Sequence, residues 1–295
     1  MHAPRVAEIK VAQAASGVAQ KTLYLHGENS LVETIVGLAQ DYVGTNNVAL
    51  LQPLGQFGSR NDKPCTHAAA RYIFTKIDPM AAALFPSSDF PVLKLREEEG
   101  ESIEPEQFFP VLPMLLVNGA QGIGTGFSTC VPSYSVTSLC QCVRAHLAGE
   151  ELPTLVPHFE GFTGRVDSTE RAIVTQGRVE KVEDGVWRVL ELPIGKWTEP
   201  FLTELKALAD GSRPSKVLSV QSVTNMSSEF RVNIELLLGE DSNHLEEDDI
   251  IRALRLRTSI STTHRATVNS CLDDSLRRFT FKRGVGVGVY DLGGG

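Results

Sequence analysis

The sequence lacks the features that mark membrane, secreted and metal-binding proteins. No stretch of its 295 residues approaches the roughly 18 apolar residues of a membrane-spanning helix, and Met1–Gln20 contains no signal-peptide core. The five cysteines are odd in number and scattered, which predicts reduced thiols in the cytosol or nucleus. Cys140 and Cys142 form a C-x-C pair without a companion cluster, so we predict no metal site.

An overall excess of positive charge is also missing. Lys and Arg number 28 against 36 Asp and Glu, for a net charge of −8, which excludes a surface that is basic throughout. A duplex is held by a local basic patch and not by an average. One segment, residues 57–76, is locally basic, with four cations against Asp62: Arg60, Lys63, Arg71 and Lys76. Such a segment permits DNA binding, although a solvated loop has the same composition.

Apolar spacing predicts three helices in the first 150 residues. The first covers Val6–Gln20, where apolar residues recur every three or four positions. The second opens at the capping-box pattern Ser30–Glu33 and ends at Gly44. The third covers Ser135–Gly149. Between them, two glycines and a proline predict a shaped loop at Leu50–Arg60, and an apolar run predicts a strand at Phe108–Val117.

The texture of the sequence changes near residue 150. Alternating apolar and polar positions then predict strands, and an acidic run, 241–249, is typical of a solvated helix start. The predicted strands are Arg171–Gln176, Val186–Leu192 and Phe230–Leu236. We therefore expect a boundary near residue 150 and an α/β second half.

Four segments together resemble the breakage-and-rejoining core of the eukaryotic type IIA DNA topoisomerases. They are YLHGENSLVETIVGLAQDYVGTNN at Tyr24–Asn47, LLQPLGQFGSR through ARYIFT at Leu50–Thr75, PMLLVNGAQGIGTGFST at Pro113–Thr129, and ELPIGKWTEPF at Glu191–Phe201. Their order and spacing match the family, and the resemblance covers roughly residues 5–260.

The resemblance implies an α+β fold in three parts. Residues 1–150 would form a partial winged-helix-like DNA breakage-rejoining domain, the DNA gate, which carries the nucleophile. Residues 151–270 would form a β-rich tower or shoulder domain of α/β type, and residues 271–295 an irregular glycine-rich tail.

The resemblance also implies a chemistry for three residues. Tyr72 matches the family's nucleophile, which attacks a backbone phosphate to form a 5′-phosphotyrosyl bond. A free phenol has a pKa of about 10, so neighbouring positive groups are needed to favour the phenolate. Arg71 would stabilise charge on the phosphate, and His26 would hold or protonate the phosphate region. His26 has a simpler alternative role as a helix-entry residue, and the histidine that precedes it in the family is Leu25 here.

Five further residues match DNA contacts of the family. Four of them, Gln52, Gln56, Arg60 and Lys63, would lie along the DNA backbone and fix its position. Ile123 would wedge between base pairs and bend the duplex, unless it is a core isoleucine under a tight turn. The segment 62–70 departs from the family because it lacks its usual glycines, which leaves the path of this loop open.

The complete enzymes of this family use Mg²⁺ and ATP, and the sequence contains neither the acidic metal motif nor the nucleotide site. The resemblance further implies duplex DNA as partner, a homodimer, metal-binding and ATPase domains supplied in cis or in trans, and a nuclear location. Transient double-strand cleavage and religation would then allow ATP-dependent duplex passage. The alternative is a truncated or incomplete relative that binds duplex DNA without cutting it.

Overall fold

The chain combines helices with small antiparallel sheets, which confirms the α+β prediction. The structure, a computed structural model, describes residues 7–62, 66–98, 100–124, 127–169, 172–212, 217–242 and 244–261, with residues 123, 124, 127–129 and 261 by their backbone alone. Lys63 and the predicted tail, 271–295, lie outside the described residues.

The first part of the chain packs two helices against a three-stranded sheet. Its elements are β1 (Ile9–Lys10), α1 (Val11–Lys21), α2 (Glu28–Ala39), β2 (Leu51–Leu54) and β3 (Phe74–Ile77). The strands are antiparallel in the order β1-β3-β2. Apolar side chains from both helices and the sheet form a buried cluster, the first core: Val11, Ala15, Val32, Ile35, Val36, Ala39, Phe57 and Ile73. This arrangement is compatible with a partial winged-helix-like domain.

The second part is built from short helices and two hairpins. Its elements are α3 (Pro79–Leu84), β4 (Leu95–Glu98), β5 (Glu101–Pro105), α4 (Met114–Asn118), β6 (Ala120–Gly124), β7 (Phe127–Val131) and α5 (Val136–Ala148). A 3₁₀ turn at Ser87–Val92 precedes the first hairpin. The predicted third helix is confirmed as α5, with Ser135 accepting from Ser138 N–H at its start and Gly149 in a left-handed conformation at its end.

The third part holds the largest hydrophobic core. Its elements are β8 (Arg165–Ser168), β9 (Ala172–Gln176), β10 (Arg178–Glu183), β11 (Val186–Glu191), α6 (Thr198–Ala209), β12 (Val220–Asn225), β13 (Ile234–Leu238), α7 (Glu247–Ala253) and β14 (Arg257–Ser261). One antiparallel sheet runs β10-β11-β13-β12 and another β14-β9-β8. Helices α6 and α7 bury Phe201, Leu205 and Ile250 against the larger sheet. Two of the three predicted strands fall on β9 and β11, whereas the third begins four residues later than predicted, at Ile234.

Three local predictions are wrong, each for a physical reason. Helix α2 begins at Glu28 and not at Ser30, because an acid in the first turn favours the positive helix end and Gly27 serves as its N-cap. Residues 51–54 form an edge strand and not a loop, since Pro53 is tolerated where no further strand pairs. The apolar run before Val117 forms α4 and not a strand, because a short run buried on all sides does not reveal its period.

Candidate active site

Tyr72 lies at the exposed end of a tight turn, which we call the Tyr72 turn (residues 69–73). Its backbone N–H donates to the carbonyl oxygen of Ala69 at 2.8 Å, and its side chain is 67% exposed. The following residue, Ile73, is 1% exposed and belongs to the first core. The phenol is therefore presented to solvent on a backbone that its neighbour anchors in the interior.

The start of helix α1 is bonded to the Tyr72 turn. The N–H of Val11 donates to the carbonyl oxygen of Ile73 at 3.0 Å, and that of Ala12 to the oxygen of Ala70 at 3.2 Å. These carbonyls satisfy two of the N–H groups that every helix leaves free at its start. The positive end of the helix dipole therefore lies at the turn, where it favours negative charge.

Gly55 forms the opposite wall of the turn. Its φ is +123°, and a Cβ at this position would lie 2.9 Å from Cγ2 of Ile73. Both the backbone conformation and the close approach require glycine. The sequence predicted a shaped segment here, and the structure shows that its shape brings the backbone against Ile73.

Arg71 and Tyr72 are brought together as predicted from their adjacency. The guanidinium carbon of Arg71 lies 4.8 Å from the centroid of the Tyr72 ring. Both side chains are exposed. A cation over the ring of an exposed phenol is available to an incoming phosphate, with which guanidinium pairs in bidentate geometry.

His26 lies in the connection between α1 and α2. Its exposed imidazole packs edge-on against Tyr24, with ring centroids 5.3 Å apart. Among the described residues, the ring contact of His26 is with Tyr24 and not with Tyr72. The preceding side chain, Leu25, is 90% exposed. The structure therefore does not join His26 directly to the Tyr72 turn.

The two predicted glutamines differ in how much of them is free. Gln52 is half-buried and donates through Nε2 to Oδ2 of Asp78 at 3.1 Å. Gln56 is exposed, and its backbone oxygen accepts from the N–H of Ala68 at 3.0 Å. Its Nε2 donates to the carbonyl oxygen of Thr66 at 3.3 Å, which ties the two sides of this segment together.

Arg60 is a correction to the sequence-based site. Its side chain was predicted to contact DNA, but the residue is 1% exposed. Nη2 lies 3.4 Å from Oε1 of Glu191 and 2.9 Å from the carbonyl oxygen of Leu192, and the guanidinium stacks 5.2 Å from the ring of Trp197. Burial lowers the pKa of Arg60, while Glu191 raises it. A buried, partnered guanidinium is not available to a phosphate, so we assign it to the interior.

The remaining two predicted DNA contacts are described only in part. The backbone of Ile123 lies in β6, opposite Ser128 of β7 and one residue before the end of the strand. Gly119, at the base of this hairpin, has a φ of +72°, and a Cβ there would lie 2.7 Å from the carbonyl oxygen of Val131. Lys63 lies outside the described residues.

Two lysines near the Tyr72 turn were not predicted as site residues. Lys10 lies opposite Phe74 in the sheet, with Nζ 5.8 Å from the Phe74 ring. Lys76 lies opposite Gln52, and its Nζ is 3.2 Å from Oε1 of Glu8. Strand pairing brings these cations to the sheet that carries the turn, and sequence spacing alone does not reveal that pairing.

Within the described ranges, no group of three or more His, Cys, Asp or Glu side chains could hold a metal ion. The same ranges contain no helix with the length and apolar character needed to cross a bilayer.

Comparison with known proteins agrees with this geometry. The family model described as DNA gyrase/topoisomerase IV matches residues 1–279. DNA topoisomerase 2 of Pisum sativum is 37% identical over 260 residues, which are 87% of this chain and 18% of that protein. The DNA topoisomerase-like protein cin-4 of Caenorhabditis elegans is 37% identical over 259 residues, 87% of this chain and 31% of that protein.

A solved structure shares the fold. The Plasmodium falciparum topoisomerase II DNA-binding, cleavage and re-ligation domain superposes with a TM-score of 0.84 at 32% identity, over 92% of this chain and 39% of that one. The chain thus spans about a fifth of the length of the Pisum sativum relative. With a family model matching nearly its whole length and eukaryotic DNA topoisomerase 2 proteins among its relatives, this chain belongs to the DNA gyrase/topoisomerase IV family.

Proposed function

We propose that this chain is the part of a type II DNA topoisomerase that breaks and rejoins DNA, with Tyr72 as the nucleophile. The observation that carries the proposal is the exposed Tyr72 phenol beside Arg71, on a turn anchored by Ile73 and by the start of α1. The family match and the cleavage domain of Plasmodium falciparum support it.

The proposed reaction is a reversible transesterification. The Tyr72 oxygen attacks a backbone phosphorus and loses its proton, while the bond from phosphorus to the 3′-oxygen breaks. The released 3′-oxygen gains a proton, and the 5′ end becomes linked to the tyrosine. Religation is the reverse attack of the 3′-hydroxyl on the phosphotyrosyl bond, so no net oxidation, reduction or hydrolysis occurs.

The chain's own groups assist this reaction through charge and position. Arg71 pairs with the phosphate and stabilises the charge that builds up on it, and the positive end of α1 favours the phenolate. His26 assists at the phosphate through an imidazole that titrates near neutrality. Gln52 and Gln56 hold the DNA backbone, as does Lys63, and Ile123 wedges between base pairs.

Mg²⁺ and ATP enter this proposal as requirements of the complete enzyme. The described residues do not fit a metal site, since they contain no suitable cluster of ligands. We therefore assign both cofactors to metal-binding and ATPase domains supplied in cis or in trans. In the complete enzyme the product is ATP-dependent duplex passage by a homodimer, acting in the nucleus in chromosome segregation.

We further propose that the chain divides near residue 150. Residues 1–150 would be the DNA-gate domain, residues 151–270 the tower or shoulder, and residues 271–295 a glycine-rich tail. The separate hydrophobic clusters before and after this position support the division.

A trapping experiment tests the proposal. The chain is combined with the metal-binding domain of a relative, Mg²⁺ and supercoiled plasmid, and DNA covalently attached to protein is collected after denaturation. We expect an adduct with the wild type and none with Tyr72→Phe. Tyr24→Phe is the matched control, because its hydroxyl is buried and has no hydrogen-bond partner among the described residues. It should form the adduct normally.

The alternative, DNA binding without cleavage, has a different outcome in the same assay. The wild type would then retard the plasmid in a salt-dependent manner but form no adduct with any metal-binding domain supplied. That result would reject Tyr72 as a working nucleophile in this chain.

A further inference from the structure

Arg60 joins the segment before the Tyr72 turn to the third part of the chain. Its guanidinium donates to the carbonyl oxygens of Leu192 and Lys196 and faces Oε1 of Glu191. The other oxygen of that carboxylate, Oε2, accepts from the N–H of Thr163 at 3.3 Å. A charge buried to this extent is stable only when its donors are matched by acceptors, as they are here.

The backbone on either side of Arg60 is bonded to the same region. The carbonyl oxygen of Arg60 accepts from the hydroxyl of Thr198 at 3.1 Å, and that of Asn61 accepts from the N–H of Glu199 at 2.9 Å. The N–H of Arg60 donates to the carbonyl oxygen of Glu229 at 2.6 Å. Residues 60 and 61 therefore satisfy donors at the start of helix α6, just as the Tyr72 turn does for α1.

The other end of this segment reaches the Tyr72 turn. Phe57 is 3% exposed in the first core together with Ile73, and its carbonyl oxygen accepts from Nε2 of Gln40 at 2.8 Å. Gly55 lies against the side chain of Ile73, and Gln56 bonds the backbone of Ala68. Residues 55–61 thus form a continuous hydrogen-bonded and packed link from the third part of the chain to the turn.

We propose that Arg60 is a positioning residue, which holds the Tyr72 turn in register with the third part of the chain without touching DNA. The proposal rests on the proposed function for its catalytic consequence, although the mechanical link is a property of the fold. Glu191 and Trp197 are the partners that fix the guanidinium, and the loss of either should act through the same link.

Amide hydrogen exchange tests the link independently of DNA cleavage. Arg60→Gln removes the charge, and the double variant Arg60→Gln, Glu191→Gln leaves no unpaired buried carboxylate, so it serves if the single variant fails to fold. We expect exchange at the amides of Ala68 and Tyr72 to accelerate about tenfold in either variant. Leu205→Ala is the control: it destabilises the third core without touching residues 55–61 and should leave those amides protected.

DNA measurements separate positioning from contact. In the adduct assay, the double variant should form the covalent complex about a hundredfold more slowly, because small displacements of a nucleophile are costly. Its affinity for duplex DNA and the dependence of that affinity on salt should stay unchanged. A residue that touched a phosphate would instead lower the salt dependence by about one unit.

Three outcomes would overturn the proposal. They are unchanged exchange at Ala68 and Tyr72 in the folded variants, equal acceleration in Leu205→Ala, and a reduced salt dependence of DNA binding. If the wild type forms no adduct while the exchange of the variants still rises, the link is supported and the proposed cleavage is rejected.

Discussion

The guanidinium of Arg71 lies over the ring of Tyr72, with 4.8 Å between its central carbon and the ring centroid. If this guanidinium stabilises the phosphate under attack, Arg71→Ala should slow adduct formation about 10²–10³-fold, the usual cost of losing one such donor. Arg71→Lys should recover only part of this loss, because an ammonium cannot pair with two oxygens in parallel.

The rate is measured by trapping adducts at saturating DNA concentration. Arg144→Ala, which removes an exposed arginine from α5, is the control and should react at the wild-type rate. An Arg71→Ala protein as fast as that control would show that Arg71 has no part in the chemistry.

The close approach of Gly55 to Ile73 gives a prediction about stability. Gly55→Ala must place a Cβ at 2.9 Å from Ile73 Cγ2 while keeping a φ of +123°, so it should lower the free energy of unfolding by about 1–3 kcal/mol. Gly17→Ala is the matched change, because a Cβ there meets nothing within 4 Å and lies inside helix α1. It should raise stability by about 0.5–1 kcal/mol. Urea unfolding of the two variants would contradict the account if their order were reversed.

Asn47 connects three separate parts of the backbone. Its Nδ2 donates to the carbonyl oxygens of Val117, Tyr134 and His158 at 3.0, 3.2 and 3.0 Å, and its Oδ1 accepts from the N–H of Glu160. Asn47→Asp would replace the donor with an oxygen that faces these carbonyls, so we expect a loss of about 2–3 kcal/mol.

Asn225→Asp is the control for this substitution, since Asn225 is exposed and its Oδ1 accepts from the N–H of Ser227. It should shift stability by less than about 0.5 kcal/mol. Equal thermal midpoints for the two variants would remove Asn47 from its structural role.

Burial raises the pKa of the Cys130 thiol, which gives a prediction about pH. Only the thiolate reacts with iodoacetamide, so a raised pKa leaves less reactive sulfur at any pH below it. The pH at which Cys130 alkylation reaches half its maximal rate should be higher in the folded protein than in urea. Mass spectrometry of the peptide that contains Cys130 measures both. A midpoint equal to or below the urea value would contradict the burial of this thiol.

Motif matching located the nucleophile, whereas local patterns could not show its surroundings. Tyr72 and Arg71 are adjacent in the sequence, so their contact follows from the chain itself. Arg60 was wrongly expected on the surface, because arginine is mostly exposed unless it is paired. Its partner Glu191 is 131 residues away. Only the folded chain brings them together.

The fold shows the same division between local and distant effects. Helices α1 and α5 followed from their apolar spacing and, for α5, from its end signals. The edge strand at Leu51–Leu54 and the pairing of Lys10 with Phe74 depend on partners far away in the chain. Such partners set the register of a sheet, and the local pattern of residues does not specify them.

The central claim is that Tyr72 itself becomes joined to DNA, and one measurement tests it most directly. Trypsin cuts after Arg71 and Lys76, so the trapped adduct should yield the peptide Tyr72–Lys76 with a nucleotide attached. Mass spectrometry after nuclease digestion should find that nucleotide joined through its 5′-phosphate to the oxygen of Tyr72. A nucleotide on any other tyrosine, or a link through a 3′-phosphate, would contradict the account.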